Sequence, residues 1–228
     1  MNTALIVAAH PDDEVLGCGG TIARLAAEGW AVHVHIVAEG STSRDDVRDV
    51  SKHSANLTEL RDAARTASTI LGAQSVAFSE MPDNRMDGLE LLDIVKLVDN
   101  DVQRLKPRLV LAHHAGDVNI DHRIIHDAVV AACRPQPGHS VRELLFFEVA
   151  SSTEWRPPSS ARPFVPDTYF DITAFLTKKI DALRVYHSEM RPFPHARSIE
   201  AVEALARWRG ASVGCAAAEA FIQGRRII

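Results

Sequence analysis

Two short stretches hold most of the groups in this sequence that could do chemistry. The first reads His10-Pro11-Asp12-Asp13-Glu14, and the second reads His113-His114-Ala115-Gly116-Asp117-Val118-Asn119-Ile120-Asp121-His122. Imidazoles beside carboxylates are the donor set of a catalytic divalent-metal site, which takes three protein ligands, often two histidines and a carboxylate, and leaves a further position for water. His10 and Asp13 are near enough in sequence to share one ion from a single turn, and His122 could complete the set from the second stretch. Asp12 is then free to act as a base on the bound water, whose pKa the ion lowers toward ~7. Each part alone has a plainer reading. His-Pro forms turns, adjacent aspartates cap helix N-termini, and Asp121 is well placed to cap the helix that follows it. The occurrence of both clusters together favours a metal.

Such clusters need elements to bring them together. Residues 4–9 are a continuous apolar run of strand length, the pattern of a strand buried on both faces of a parallel sheet. Residues 32–37 alternate with a period of two, and 75–78, 108–113 and 142–149 also read as strands. Helical patterns cover 21–28, 57–71, 89–105, 120–133, 173–186 and 198–207, several of them closed by glycine or proline. Strands alternating with helices predict an α/β fold, an open and mostly parallel sheet with helices on both faces. The expected organisation is one domain over residues 1–228, with an irregular part, 151–228, covering the active edge of the sheet. Ligands of such folds bind beyond the carboxyl ends of the strands. That rule selects the loops starting at 10, 38, 79, 113 and 150, and both clusters lie in them.

Composition excludes several classes. With 228 residues, 46% hydrophobic and 24% charged, the chain fills a core without disulfides or a structural metal. A net charge of −5 gives no sign of a nucleic-acid-binding surface. Eleven histidines against three cysteines exclude a disulfide framework and a four-cysteine zinc site, but not a histidine–carboxylate one. Cys18, Cys133 and Cys215 read as reduced thiols. No basic leader precedes the first apolar run, and no segment approaches the ~20 apolar residues of a membrane span. A soluble, cytoplasmic protein is expected. His33 and His35 read as packing or edge residues, and His53, His126 and His139 as surface residues. Gly17-Cys18-Gly19-Gly20 before a helix invites a phosphate-loop reading, which is weak without the glycine spacing or the lysine such loops use.

Ala9-His10-Pro11-Asp12-Asp13-Glu14 with Gly17-Cys18-Gly19-Gly20-Thr21 resembles the signature of the PIG-L/LmbE-like zinc-dependent N-deacetylases. Gly116–His122 resembles that family's second metal motif, and Leu71-Gly72, Pro82–Arg85 and Ala218–Phe221 extend the resemblance over nearly the whole chain. It implies a Rossmann-like fold with one divalent ion, usually Zn2+, that removes acetyl from N-acetylglucosamine-type sugars or their conjugates. His/Asp ligands also accept Fe2+, Co2+ and Mn2+. Carried over by position, His10, Asp13 and His122 hold the metal, Asp12 is the general base, and Asp121 lies behind the site and orients a neighbour. Many members stabilise the oxyanion with a histidine three positions before the last ligand. Here that position is Asn119, which donates a hydrogen bond but cannot supply a proton. The proton for the leaving amine then falls to Asp12 or another group, with His114 and His187 as candidates near the substrate. Arg61 and Asp83 fall where the family places sugar-facing residues; their plainer readings are a solvated helix residue and a turn former. Trp155 either stacks on a sugar or pins its loop. For Arg191, His195 and Arg197 a solvated basic patch is preferred to an anion-binding role.

The resulting expectation is an enzyme, a metal-dependent N-deacetylase acting on a small N-acetylated sugar or sugar conjugate, with no nucleic acid partner and no membrane span; a homo-oligomer is left open. One rival is a zinc amidase cleaving a thiol or other amide conjugate on the same scaffold. Another is a non-catalytic sugar- or nucleotide-binding module. A nicotinamide dehydrogenase is disfavoured because His-Pro-Asp-Asp occupies the place of the glycine fingerprint.

Overall fold

A computed structural model describes residues 1–228. Strand and helix alternate through β1 (Thr3–Ala8), α1 (Asp13–Ala27), β2 (Ala31–Ala38), α2 (Ser54–Leu71), β3 (Ser75–Met81), α3 (Leu91–Leu105), β4 (Leu109–His113), α4 (Ile120–Ala132) and β5 (Glu143–Phe147). After a stretch of turns come β6 (Thr168–Asp171), α5 (Leu176–Val185), α6 (Ile199–Ala211) and β7 (Ala218–Arg226). All seven strands join one sheet in the order β3-β2-β1-β4-β5-β7-β6. The pairs from β3 to β5 are parallel, and β7 runs antiparallel to both β5 and β6. Alternate residues of β1 enter two cores. Ala4, Ile6 and Ala8 pack with α1, α2 and α5 on one face, and Leu5 and Val7, with Ala9 just past the strand, pack with α3 and α4 on the other. This burial on both faces is why β1 reads as unbroken apolar sequence rather than as alternation.

The strand order reverses beside β1. The chain passes from β1 outward to β2 and β3, then returns to the other side of β1 for β4 and β5. The loops leaving β1 and β4 therefore diverge, and a crevice opens between the two strand ends. The loop after β1 carries the first cluster, and the loop after β4 carries the second.

Two expectations need correction. The 151–228 part, in which the sequence pattern shows only helices, also adds two strands, β6 and β7, to the sheet. The helix read as starting at residue 21 begins instead at Asp13, so the glycines at 17, 19 and 20 lie inside α1, which is kinked where Cys18 leaves helical geometry. Glycine is there for close packing: a Cβ on Gly17 would collide with the Phe147 ring, and one on Gly20 would come within 2.7 Å of Ile172.

The kink frees main-chain groups that a continuous helix would satisfy, and a buried ion pair takes them up. Glu219 accepts from Gly20 N–H (2.9 Å) and Thr21 N–H (2.6 Å), while Lys179 Nζ donates to Leu16 O (2.8 Å) and to Glu219 (2.6 Å). β7 and α5 thereby brace the helix that starts at the first cluster. Removing one partner of a buried pair strands the other charge. Glu219→Ala is expected to lower unfolding free energy by about 3–5 kcal/mol, measured by urea denaturation, and Glu219→Ala with Lys179→Met is expected to recover part of that loss. The thiols give a second check on the packing. Cys18 and Cys133 are buried and Cys215 is partly exposed. Burial pushes the Cys133 thiol up to about 12 and holds that of Cys18 well above its ordinary value. Titration with a disulfide reagent should modify one thiol in the native protein and all three in urea.

Candidate metal centre and active site

His10, Asp13 and His122 converge in the crevice, each offering a ligand atom, and these atoms lie within 4.8 Å of one another. Asp13 Oδ2 accepts from the main-chain N–H of His10 (2.8 Å) and lies 3.2 Å from His10 Nδ1 and 3.1 Å from His122 Nε2. Asp13 Oδ1 and His122 Nε2 are buried without a hydrogen-bond partner. Such orphans are costly in a folded protein unless something fills the gap, and a cation is a group that these donors could hold. His10, Asp83 and Asp121 form a second acidic grouping, but their oxygens are already used. Asp121 accepts from Asn84 N–H (2.7 Å) and Met86 N–H (3.1 Å), and Asp83 from the N–H and hydroxyl of Ser43 and the amide of Asn84. Of the two groupings, the first is the one that leaves ligand atoms without partners.

Each of the two imidazoles, His10 and His122, has a carboxylate at its back. His10 Nε2 lies 3.1 Å from Asp121 and 3.3 Å from Asp83, which leaves Nδ1 facing Asp13. His122 Nδ1 lies 3.2 Å from Asp117, which leaves Nε2 facing Asp13. Asp117 is fixed in turn by the hydroxyls of Ser152 and Thr153 and by the N–H of Asn119. Carboxylates placed in this way fix the tautomer and aim of metal-binding histidines. A third imidazole, His113, stacks on His122 with centroids 3.9 Å apart and accepts from Ala9 N–H through Nε2 (2.8 Å). This ties the end of β4 to the end of β1.

The electrostatics suit a cation. Burial alone would raise the Asp13 carboxyl, but His122, His10 and His113 hold it well below its ordinary value. Burial opposes charging His122, yet Asp13 and Asp117 outweigh that and raise it to about 9. His10 is raised as well, because its bonds to Asp121, Asp13 and Asp83 overcome desolvation.

Asp12 stands beside this centre in a left-handed backbone conformation, φ 108° and ψ −29°, uncommon for a residue with a side chain. Although it is the residue before α1, its side chain does not cap the helix. Its Oδ2 instead accepts from Arg197 Nη1 at 2.8 Å, and its N–H donates to Glu14, whose other oxygen takes the Tyr186 hydroxyl. Burial pushes the Asp12 carboxyl well above its ordinary value, Arg197 opposes this, and Asp13, Glu189 and Glu14 add to it. A buried carboxylate of raised basicity beside a metal centre is suited to take a proton from water.

Of the remaining sequence-derived candidates, Asp83 reaches the centre, with its carboxyl lowered to about 2 chiefly by His10 and Ser43 against the effect of burial. Asp121 lies behind His10. Asn119 caps α4, its Oδ1 accepting from Asp121 N–H (2.9 Å) and its Nδ2 donating to Asn84 (2.9 Å). His114 is buried and donates to or accepts nothing from the centre; its Nε2 bonds the Arg162 carbonyl (3.0 Å) and so pins the 156–166 turn. Arg61 pairs with Glu80 at 3.0 Å. His187 is exposed and pairs with Glu59 across α2, and its bonds do not link it to the centre. Asp117, His113 and Arg197 join the site without having been assigned to it. Asp117 and His113 were visible inside the second motif. Arg197, read as part of a solvated patch, carried no signal of its role.

The donor set and the carboxylate of Asp12 lie together at the switch point of the sheet, where α/β folds bind their ligands. Residues 5–133 match the family described as GlcNAc-PI de-N-acetylase, PIG-L. The chain therefore belongs to the PIG-L family of deacetylases and is an enzyme. It is 31% identical over 204 residues to 4-oxalmesaconate hydratase of Pseudomonas putida, covering 81% of this chain and 74% of that protein. It is 26% identical to the 1D-myo-inositol 2-acetamido-2-deoxy-alpha-D-glucopyranoside deacetylase of Mycolicibacterium vanbaalenii over 87% of this chain and 85% of the relative. Among solved structures, the conserved protein TT1542 of Thermus thermophilus superposes with a TM-score of 0.77 at 26% identity, over 100% of this chain and 97% of that one. No helix is long and apolar enough to cross a membrane.

Because Asp117 aims His122, its loss should be felt through the ion. Asp117→Asn is expected to weaken metal binding about 10–100-fold, read from competition with a chromophoric chelator.

Proposed function

We propose that the protein removes the N-acetyl group of an N-acetylglucosamine-type sugar or sugar conjugate by metal-assisted amide hydrolysis. The observation that carries this reading is the pairing of a buried base, Asp12, with the His10–Asp13–His122 donor set whose inner atoms lack partners. Two histidines and a carboxylate suit zinc, and a zinc ion held there would polarise the acetamido carbonyl and acidify water.

The chain's own residues do the rest. Arg197 holds one oxygen of Asp12 and leaves Oδ1 to meet the attacking water. Asp12 takes the proton of that water and, with its raised basicity, can pass it to the nitrogen of the departing amine. Asp117 and Asp121 keep the two imidazoles in the orientation that binding requires. Asn119 serves the oxyanion only if its amide leaves Asn84, because both ends of that amide are engaged. Collapse of the tetrahedral adduct yields acetate and a free sugar amine.

The hydratase among the relatives motivates a second reading, addition of water to a double bond by the same base. Release of acetate and amine from N-acetylated sugars separates the proposed reaction from that one, and also from cleavage of a thiol conjugate. Asp12→Asn should retain its metal by elemental analysis and lose about 10²–10⁴-fold in kcat. His122→Ala should lose the metal itself. An Asp12→Asn protein of undiminished turnover removes the base assignment.

A further inference from the structure

Arg197 forms a wall shared by the centre and a neighbouring cleft. While Nη1 binds Asp12, Nε donates to Ser151 Oγ at 2.7 Å. Beyond it lies a cleft of about 240 Å³ lined by Ser151, Trp155, Glu189, Arg191, His195 and Arg197. That is below the ~300–1,000 Å³ of a complete small-molecule site, so it holds part of a ligand.

The hydrogen-bonding capacity of this lining is one-sided. Its carboxylate, Glu189, is held by Arg44 at 2.7 Å and lies 3.7 Å from Arg197. Glu154, in the adjoining turn, spends both oxygens on the N–H groups of Ser151 and Ser152. Asp12 is taken by Arg197. The donors are not so committed. Arg191 uses only Nη1, on the carbonyls of Ser188 and Met190, and pairs with no carboxylate. His195 accepts from Arg197 N–H through Nδ1 (3.0 Å), which leaves Nε2 as the donor of the neutral ring. Ser151 accepts from Arg197 and keeps its own proton to give. Trp155 is 54% exposed and meets His195 edge-on, at 5.7 Å between centroids, offering an apolar wall for a sugar or base ring.

We infer that this cleft is a subsite for an oxyanionic group of the substrate, a phosphate or a carboxylate, held by Arg191, His195 and Ser151. Acceptor-rich groups are what unspent guanidinium and imidazole donors recognise. The inference rests on the deacetylase reading and adds to it that the N-acetylated sugar carries negative charge on the part remote from the amide.

The test uses the metal-loaded enzyme and free-amine release. Neutral substrates are N-acetylglucosamine and its methyl glycoside. Anionic ones are N-acetylglucosamine 1-phosphate and a uridine-diphosphate-linked N-acetylglucosamine for phosphate, and N-acetylmuramic acid for carboxylate. A KM at least about tenfold lower for one anionic class is expected, and the class favoured identifies the oxyanion. Arg191→Ala should collapse the ratio of neutral to anionic KM toward one, and Arg191→Lys should restore part of it. Equal KM values for neutral and anionic substrates, or an unchanged ratio in Arg191→Ala, overturn the inference.

Fluorescence makes the result independent of turnover. Inorganic phosphate or malonate should quench Trp155 saturably. The quench should be absent in Trp155→Phe and shifted at least about tenfold in midpoint in Arg191→Ala. Anions bound only at the metal would give the same midpoint in Arg191→Ala, which counts against the subsite. Arg191-dependent quenching without amine release from any substrate leaves the subsite standing and removes the deacetylase reading. Amine release at equal KM without quenching does the reverse.

Discussion

Asp13 is a carboxylate with no solvent exposure, and an anion buried so completely persists only if positive charge and hydrogen bonds surround it. Much of the molecule is arranged to meet that demand. Three imidazoles gather around it from the ends of β1 and β4 and the start of α4. Behind two of them stand Asp121 with Asp83, and Asp117. Behind these carboxylates stand the N–H groups of Asn84 and Met86 and the hydroxyls of Ser43, Ser152 and Thr153. The result is alternating layers of charge and hydrogen bonding that draw together loops otherwise free to diverge at the switch point of the sheet. Catalytic capacity and local cohesion therefore rest on the same atoms.

How far the site was legible depends on what set each position. His10, Asp12 and Asp13 follow one apolar run and His122 lies in the segment after another, so the rule that ligands sit beyond strand termini selects both segments, and the family resemblance picks these four residues from them. The partner of each imidazole is another matter. Asp121 precedes His122 directly, yet adjacent residues on a helix do not face one another, so Asp121 turns to His10. Asp117, in the turn before α4, folds back on His122. Only helical geometry decides between the two. Arg197 is further still from local pattern, since 185 residues separate it from Asp12. The glycines of α1 misled because intrinsic propensity ends a helix there, whereas packing against Phe147 and Ile172 and bracing by Glu219 carry it through. The short β6, and β7 with its solvated half from Ile222 onward, lack the apolar continuity that marked β1 and β4.

The region after residue 150 thus belongs to the chemistry as well as to the sheet. Ser152 and Thr153 steady His122 through Asp117. Tyr186 and Glu14 secure the Asp12 peptide, and Arg197 secures its carboxylate. The reaction centre is assembled from both ends of the chain, with β7 and α5 bracing the helix from which two of its acidic groups project.

The backbone of Asp12 has an evolutionary consequence. A side chain at that φ costs on the order of 1–3 kcal/mol, which glycine would not incur, and a chain selected for stability alone would drift toward glycine there. In a lineage that had abandoned the reaction, Asp12 would be among the earliest residues of the centre to be lost, ahead of His10 and His122, whose removal would also unbalance a buried carboxylate.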